Sequence, residues 1–459
     1  MMKSRHGFAQ IGRVIAITML APFAAAMTPA APAAALEIDA QLGQSVLPLG
    51  KSGKVYLRLS LKGTPIDRTS KRPPVNVALV LDRSGSMRGE RIASAKAAAR
   101  EALDQLAADD IVALVAYNHQ VSLIQRAARL GGDHDLRERI DRLTADGRTA
   151  LHAGVVAGAE EVKRFLDAEK VNRVVLLSDG RANVGPSTPR DLAELGRALG
   201  SDGISVTTIG LGLDYNEDLM SRLASSSDGN HAFVEDPEDL AGIFASEFGD
   251  ALSVTSKDIE IIIECRIGFK PVRVLGREAA IEGNRIRLKL NQLQGDNERY
   301  FVVELDAPET RTPGNADVAH ISVDYFDLVA GSRKQENAEA KGRYSDSADE
   351  VEKSVNKSVM TQVTTQIATE QSEKAVQMRD KGDVAAARKL LEGNAKYLKN
   401  ARERYGSGLG AAPAAAVGAL KELEAKQEAA ADNLDAQSWD RTRKSMRYDQ
   451  HKSKMQQKY

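Results

Sequence analysis

The stretch Val77-Ala-Leu-Val-Leu-Asp82-Arg-Ser84-Gly-Ser86-Met87 decides how this chain is read. An unbroken apolar run fits a strand buried on both faces of a sheet. Asp82 ends that run, at the position where open α/β sheets hold their ligands. Ser84, Gly85 and Ser86 then turn the chain tightly into a helix predicted to start near Gly89. One carboxylate and two hydroxyls therefore converge from a single loop. They are hard oxygen donors, suited to Mg2+ or a similar cation far better than to zinc.

An Asp-x-Ser-x-Ser run after an apolar strand resembles the von Willebrand factor type A domain and its metal-ion-dependent adhesion site. The resemblance implies two further donors, a threonine and an aspartate, from two later loops. Thr149 stands in Asp146-Gly-Arg-Thr149-Ala-Leu151. Asp179 closes Val174-Val-Leu-Leu-Ser178-Asp179, again at the end of an apolar run. Asp-x-Ser-x-Ser alone is a weak signal, but three elements in order at three strand ends are strong. A serine capping the next helix would explain Ser86 and nothing else. The metal set expected from the resemblance is Asp82, Ser84, Ser86, Thr149 and Asp179, holding Mg2+ or, in its place, Mn2+ or Ca2+. The resemblance spans roughly residues 72–250.

Within that span, strand-like and helical stretches alternate, which predicts a doubly wound, mostly parallel α/β sheet with helices on both faces. Ile92, Ala95, Ala99, Leu103 and Leu106 give the first helix one apolar face. Strands follow at 110–117, 172–178, 205–210 and 230–234, and residues 121–124 fit a short hairpin partner at the sheet edge. Gly210-Leu-Gly212 lacks the third glycine of a nucleotide-binding loop and fits a turn.

The flanks have a different periodicity. Residues 36–61 include the alternating strand Val55-Tyr-Leu-Arg-Leu-Ser-Leu61, and Pro65, Pro73 and Pro74 mark a boundary after it. From Lys257 to Leu328 short alternating runs separated by turn formers predict an antiparallel β-sandwich. That sandwich is thin, so the N-terminal arm is expected to complete it, with the α/β domain inserted in one of its loops. Val351, Val355, Val359, Val363 and Ile367 predict one helix, and Lys381-Gly-Asp383 a stop and restart before a second. This hairpin cannot bury its own face and must pack on the sandwich or on a second partner. An Ala-rich helix is expected from about Pro413, and the basic, polar stretch after Ser438 reads as disordered. The expected organisation is a signal peptide over 1–35, a β arm over 36–70, the type A domain over 71–252, the sandwich over 253–335, the helical hairpin over 345–405, and an Ala-rich helix with a polar tail over 406–459.

Composition bounds the function. With 63 Lys and Arg against 64 Asp and Glu in 459 residues, no global charge points to nucleic acid. Basic Lys3, Arg5 and Arg13, an apolar middle and Ala-rich text to Ala35 resemble a secretory signal, implying a periplasmic or secreted protein with no stable membrane span after its removal. Cys265, the single cysteine, excludes an internal disulfide and sits in an alternating strand, as a buried inert thiol would. Ser354-Val-Asn-Lys357 matches an acyl-enzyme Ser-x-x-Lys, but in a charged helical stretch without its companion motifs. The seven histidines form no ligand pair; His119 and His152 fall near the metal loops in sequence and take a structural or surface role by default. Two hydroxyls and few carboxylates leave a bound cation under-neutralised. By the family resemblance, a Glu or Asp of a protein partner would fill its open position. The expected function is non-enzymatic partner capture in the bacterial cell envelope. The alternatives are a scaffold acting through its C-terminal helices and a metal-assisted hydrolase, for which no dedicated base is apparent.

Overall fold

The computed structural model describes residues 35–66, 72–132 and 135–456, and the signal-like segment, apart from its last residue Ala35, lies outside them. The central sheet has strand order 121–129, 111–117, 75–82, 171–178, 205–211, 231–234. All neighbours are parallel except the first, where Val121–Arg129 runs antiparallel along the edge and is longer than the sequence suggested. The continuous apolar run at 77–81 is explained by burial on both sides. Val77, Leu79 and Leu81 pack under helices Glu90–Asp104 and Leu240–Leu252. Ala78 and Val80 pack under helix Leu151–Lys163, in a core that extends to helices Pro189–Ser201 and Glu217–Ser226. Each fully buried Val or Leu contributes roughly 1.5–3 kcal/mol. This two-sided core holds the strand ends, and hence the loops that follow them, in fixed register.

The α/β unit is inserted in a two-sheet sandwich. One sheet has order 36–42, 53–63, 298–307, 270–274, and the other 280–282, 285–294, 254–265, 314–327, 332–345, 46–48. The N-terminal arm thus supplies strands to both sheets. Strand Gly53–Gly63 pairs antiparallel with Glu298–Ala307, placing Leu59 opposite Phe301 and Leu57 opposite Val303. Leu57, Leu59 and Leu61 share a core with Ile259, Ile261 and Ile263 of the facing sheet, as period-two alternation requires. Cys265 is buried in this core, and burial pushes its thiol up to about 11. The sandwich runs to Ser345, ten residues beyond the boundary expected from the sequence. Strand Ser332–Ser345 buries little apart from Ala340, Tyr344 and Ser345, so backbone pairing with Gly314–Asp327 defines it rather than hydrophobic alternation.

The C-terminal region departs furthest from the sequence-based expectation. The single helix expected over 351–367 is two, Ala348–Lys353 and Lys357–Asp380, because Asn356 caps the second by accepting from the Val359 N–H at 3.1 Å. Val359 and Val363 dock on Leu275 and Val302 of the sandwich. At the foreseen restart Gly382 takes φ +89° and Asp383 caps helix Val384–Tyr405. Helix Ala414–Asp432 then packs along Val384–Tyr405.

The polar tail is not disordered. Trp439–Met455 is a helix lying against Lys357–Asp380 and against helix Glu217–Ser226 of the α/β unit. Its buried face mixes apolar Trp439, Met446 and Met455 with polar Lys444, Gln450 and His451. Arg443 pairs with Glu217, Asp218 and Asp380, and Lys444 donates to Glu217 at 2.6 Å. Arg379 stacks 5.0 Å from the centroid of the Trp439 ring. Of the two expected outcomes, packing on the sandwich or on a second partner, the hairpin takes the first, through Val359 and Val363. No helix among the described residues is long and apolar enough to cross a membrane.

Candidate metal site

The loops after strands Val75–Asp82 and Val171–Ser178 meet a loop that joins helices Leu136–Asp141 and Leu151–Lys163, so Thr149 precedes a helix rather than ending a strand as expected, and backbone hydrogen bonds lock the three together. The Gly85 N–H donates to the Gly147 carbonyl at 2.9 Å, and the Asp146 N–H to the Arg83 carbonyl at 2.8 Å. Thr149 is fixed from the third loop: its N–H donates to Asn183 Oδ1 at 2.9 Å, while its carbonyl accepts from the Asn183 and Val184 N–H groups. Gly147 makes the close approach possible. It sits at φ +77°, and a Cβ there would come 2.3 Å from His119 Nδ1 and 3.2 Å from Asn118 Nδ2.

All five sequence-derived residues come together. Asp82 is fully buried; its Oδ1 accepts from the Ser84 N–H at 2.8 Å and its Oδ2 from the Ser178 hydroxyl at 2.6 Å. The Ser84 and Ser86 hydroxyls lie 3.0 Å apart, and Ser86 donates to Asp179 Oδ1 at 2.7 Å. The other Asp179 oxygen accepts from Arg91 Nη1 at 2.6 Å. Gly180 gives the clearest measure of convergence. A Cβ built on it would lie 3.2 Å from Thr149 Oγ1, 3.3 Å from Ser86 Oγ and 3.7 Å from Ser84 Oγ. Three hydroxyl oxygens from two loops therefore face one small space beside the third loop, with two buried carboxylates behind them. Burial pushes the Asp82 carboxyl up to about 6, against the hydrogen bonds from Ser178 and Ser84; the negative charge of Asp179 adds to the rise.

This donor set fits a small hard cation: oxygen only, part neutral and part anionic, with a cradle at Gly180 that a Cβ would fill. Of the five side chains, Ser86 is the exposed one and marks the opening to solvent. Two neighbours escaped the sequence-based reading. Ser178 orients Asp82, and its position immediately before Asp179 was the available signal. Arg91 balances Asp179 and also reaches Asp214 at 3.3 Å; nothing in its local sequence points across the fold to either acid.

Residues 76–246 match the family model described as von Willebrand factor type A domain. An uncharacterized protein of Synechocystis is 26% identical over 275 residues, 58% of this chain and 64% of the relative. The inter-alpha-trypsin inhibitor heavy chain H2 of Sus scrofa is 23% identical over 236 residues, 48% of this chain and 25% of the relative. The chain therefore spans less than two thirds of either relative's length. Among solved structures, a von Willebrand factor type A protein from Catenulispora acidiphila superimposes with TM-score 0.67 at 15% identity, over 86% of this chain and 96% of that one. The ArnB paralog VWA2 from Sulfolobus acidocaldarius gives 0.60 at 15% identity, over 91% and 98%. Both likenesses take in the flanking sandwich and helices as well as the central domain, and they establish the fold.

Proposed function

Taking residues 76–246 as a von Willebrand factor type A domain, we propose that this chain captures a protein partner through a divalent cation held by Asp82, Ser84, Ser86, Thr149 and Asp179. Convergence of the three hydroxyls at Gly180, in front of two buried carboxylates, is the observation that carries this reading. Mg2+ is the favoured ion, with Mn2+ and Ca2+ as substitutes, and it would supply an electrophilic point for a partner's Glu or Asp. The protein's residues do the rest. Ser178 and the Ser84 N–H hold Asp82, Arg91 holds Asp179, and Asn183 holds the Thr149 backbone, so the donors are oriented before any partner arrives. In this reading both carboxylates are committed to the ion, and neither is left to act as a base toward water, which favours binding over hydrolysis. The proposed place of action is the periplasm or the exterior, a reading supported by the signal-like composition of residues 1–35.

Calorimetric titration of Mg2+ and Mn2+ tests the site, paired with chelator-reversible capture of a partner from envelope extract. Asp82→Ala should abolish cation binding. Thr149→Ala should weaken it less, by roughly tenfold, since one neutral donor is replaceable by water. Partner capture should fall in the same order. If Asp82→Ala binds the cation like wild type, the site is misassigned. If it loses the cation but keeps the partner, the metal is structural and the chain acts as a scaffold.

A further inference from the structure

Although the chain carries almost no net charge, the rim of the candidate metal site is rich in arginine. The first loop carries Arg83 and Arg88, the helix that follows it Arg91, the second loop Arg148, and the third Arg181. Arg83 pairs with Asp146 at 2.9 Å, and Arg91 is divided between Asp179 and Asp214. The remaining three are different. Among the described residues Arg88, Arg148 and Arg181 make no ion pair, and all three are exposed. Arg88 donates from Nε to the Ala145 carbonyl at 3.2 Å and Arg148 from Nη2 to the Asn183 carbonyl at 2.8 Å, so both are tethered to the site's own loops. Each of the three site-forming loops thus offers one guanidinium without a carboxylate. The acids nearby do not match them: Asp146 and Asp214 are engaged, and Glu90 is the exposed acid at the start of helix Glu90–Asp104. Arginine rather than lysine is the residue whose planar fork accepts a carboxylate at two points.

We propose that the partner is an acidic protein segment, one of whose carboxylates addresses the cation while neighbouring Asp or Glu side chains pair with Arg88, Arg148 and Arg181. The inference rests on the cation-dependent capture proposed above and adds its chemical class of partner. A single carboxylate explains cation dependence. Three exposed guanidiniums without a counter-charge can pair with more negative charge than one carboxylate brings, and they would also steer an acidic chain toward the site.

The test uses the full chain and a fluorescent twelve-residue peptide of alternating Glu and Gly, beside an analogue retaining one central Glu with Gln elsewhere. Anisotropy is read in saturating Mg2+ and in chelator, and Mg2+ affinity is measured separately. In Mg2+ the multi-Glu peptide should bind more tightly than the one-Glu analogue, and chelator should release both. Replacing Arg88, Arg148 and Arg181 singly by Gln should cost about threefold each, and the triple variant roughly thirtyfold, as for exposed ion pairs acting independently. The triple variant should bind Mg2+ at least as tightly as wild type, because it removes three positive charges from beside the cation, and its melting temperature should stay within a few degrees of wild type. Equal binding of the two peptides, or a triple variant that binds the multi-Glu peptide like wild type, overturns the acidic-segment inference while leaving the metal site standing. Competition by a sulfated glycan but not by polyglutamate also overturns it. A wild-type chain that takes no cation sinks the capture reading, and this inference with it.

Discussion

Helix Trp439–Met455 docks through apolar Trp439 and Met446 together with a small set of buried charges, and among the charges Glu217 is the one whose loss should matter most. Its carboxylate accepts from Lys444 at 2.6 Å and from Arg443, and both Glu217 and Lys444 are about 4% exposed. Lys444 also donates to the Tyr215 carbonyl at 2.9 Å and lies 4.8 Å from the Tyr215 ring centroid. Glu217→Ala strands the Lys444 ammonium with one carbonyl and an aromatic face. Breaking a buried pair by removing one partner costs about 3–5 kcal/mol. Lys444→Ala should cost less, about 1–3 kcal/mol, because Glu217 keeps Arg443. Lys444→Met retains the stem and removes the buried charge, so a loss below about 1.5 kcal/mol is expected. Arg443 has Asp218 and Asp380 as further partners, which limits how far Glu217→Ala propagates through it. Amide hydrogen exchange across 439–455 reads the local opening directly. A 3 kcal/mol loss corresponds to roughly a hundredfold faster exchange when opening governs it. Protection within threefold of wild type in Glu217→Ala, or a larger loss in Lys444→Met than in Glu217→Ala, would refute the reasoning.

Two further outcomes are expected. Gly147→Ala should destabilise its loop by about 1–3 kcal/mol, since φ +77° is strained for any side chain and the Cβ meets His119; Mg2+ affinity should fall with it, and an unchanged titration would show that the loop does not position Thr149. His451 should contribute acid sensitivity. Burial holds its imidazole well below the ordinary value, with His231, Arg299 and Lys454 adding positive charge, and burial likewise lowers His231 to about 4. Because the folded state resists protonation, the unfolded state takes up the proton first as pH falls below about 6.5, and stability is lost toward acid by about 1.4 kcal/mol per unit for each such histidine. Glu247, pushed up to about 7 by burial, acts in the opposite sense, its contribution falling as pH rises from about 4.5 to 7. The informative quantity is therefore the difference between wild type and His451→Asn. Between pH 7 and 5 the variant should lose about 2 kcal/mol less by urea denaturation, and parallel pH profiles would contradict the assignment.

The amino-acid sequence by itself determined the central domain and the members of the candidate site. Apolar periodicity is a local code, and an unbroken run such as Val77–Leu81 can be satisfied only by two-sided burial. Asp82, Ser84, Ser86 and Asp179 then follow from their places at strand ends, whereas Thr149, expected at a third strand end, stands in the loop between helices Leu136–Asp141 and Leu151–Lys163. The sandwich and its completion by the N-terminal arm were legible for the same reason, since strands such as Gly53–Gly63 announce a core-facing side. What only the tertiary structure decided depends on partners remote in the chain. Arg91 meets Asp179 across 88 residues, and Lys444 meets Glu217 across 227. A basic, polar stretch has the same local composition whether water or a carboxylate on another element neutralises it, so helix Trp439–Met455 read as a tail. Strand Ser332–Ser345 was missed because backbone pairing, which leaves no hydrophobic signature, holds it in place. The arginines at the site mouth are visible in the sequence as residues, but which of them lack a counter-charge is a property of the assembled loops alone.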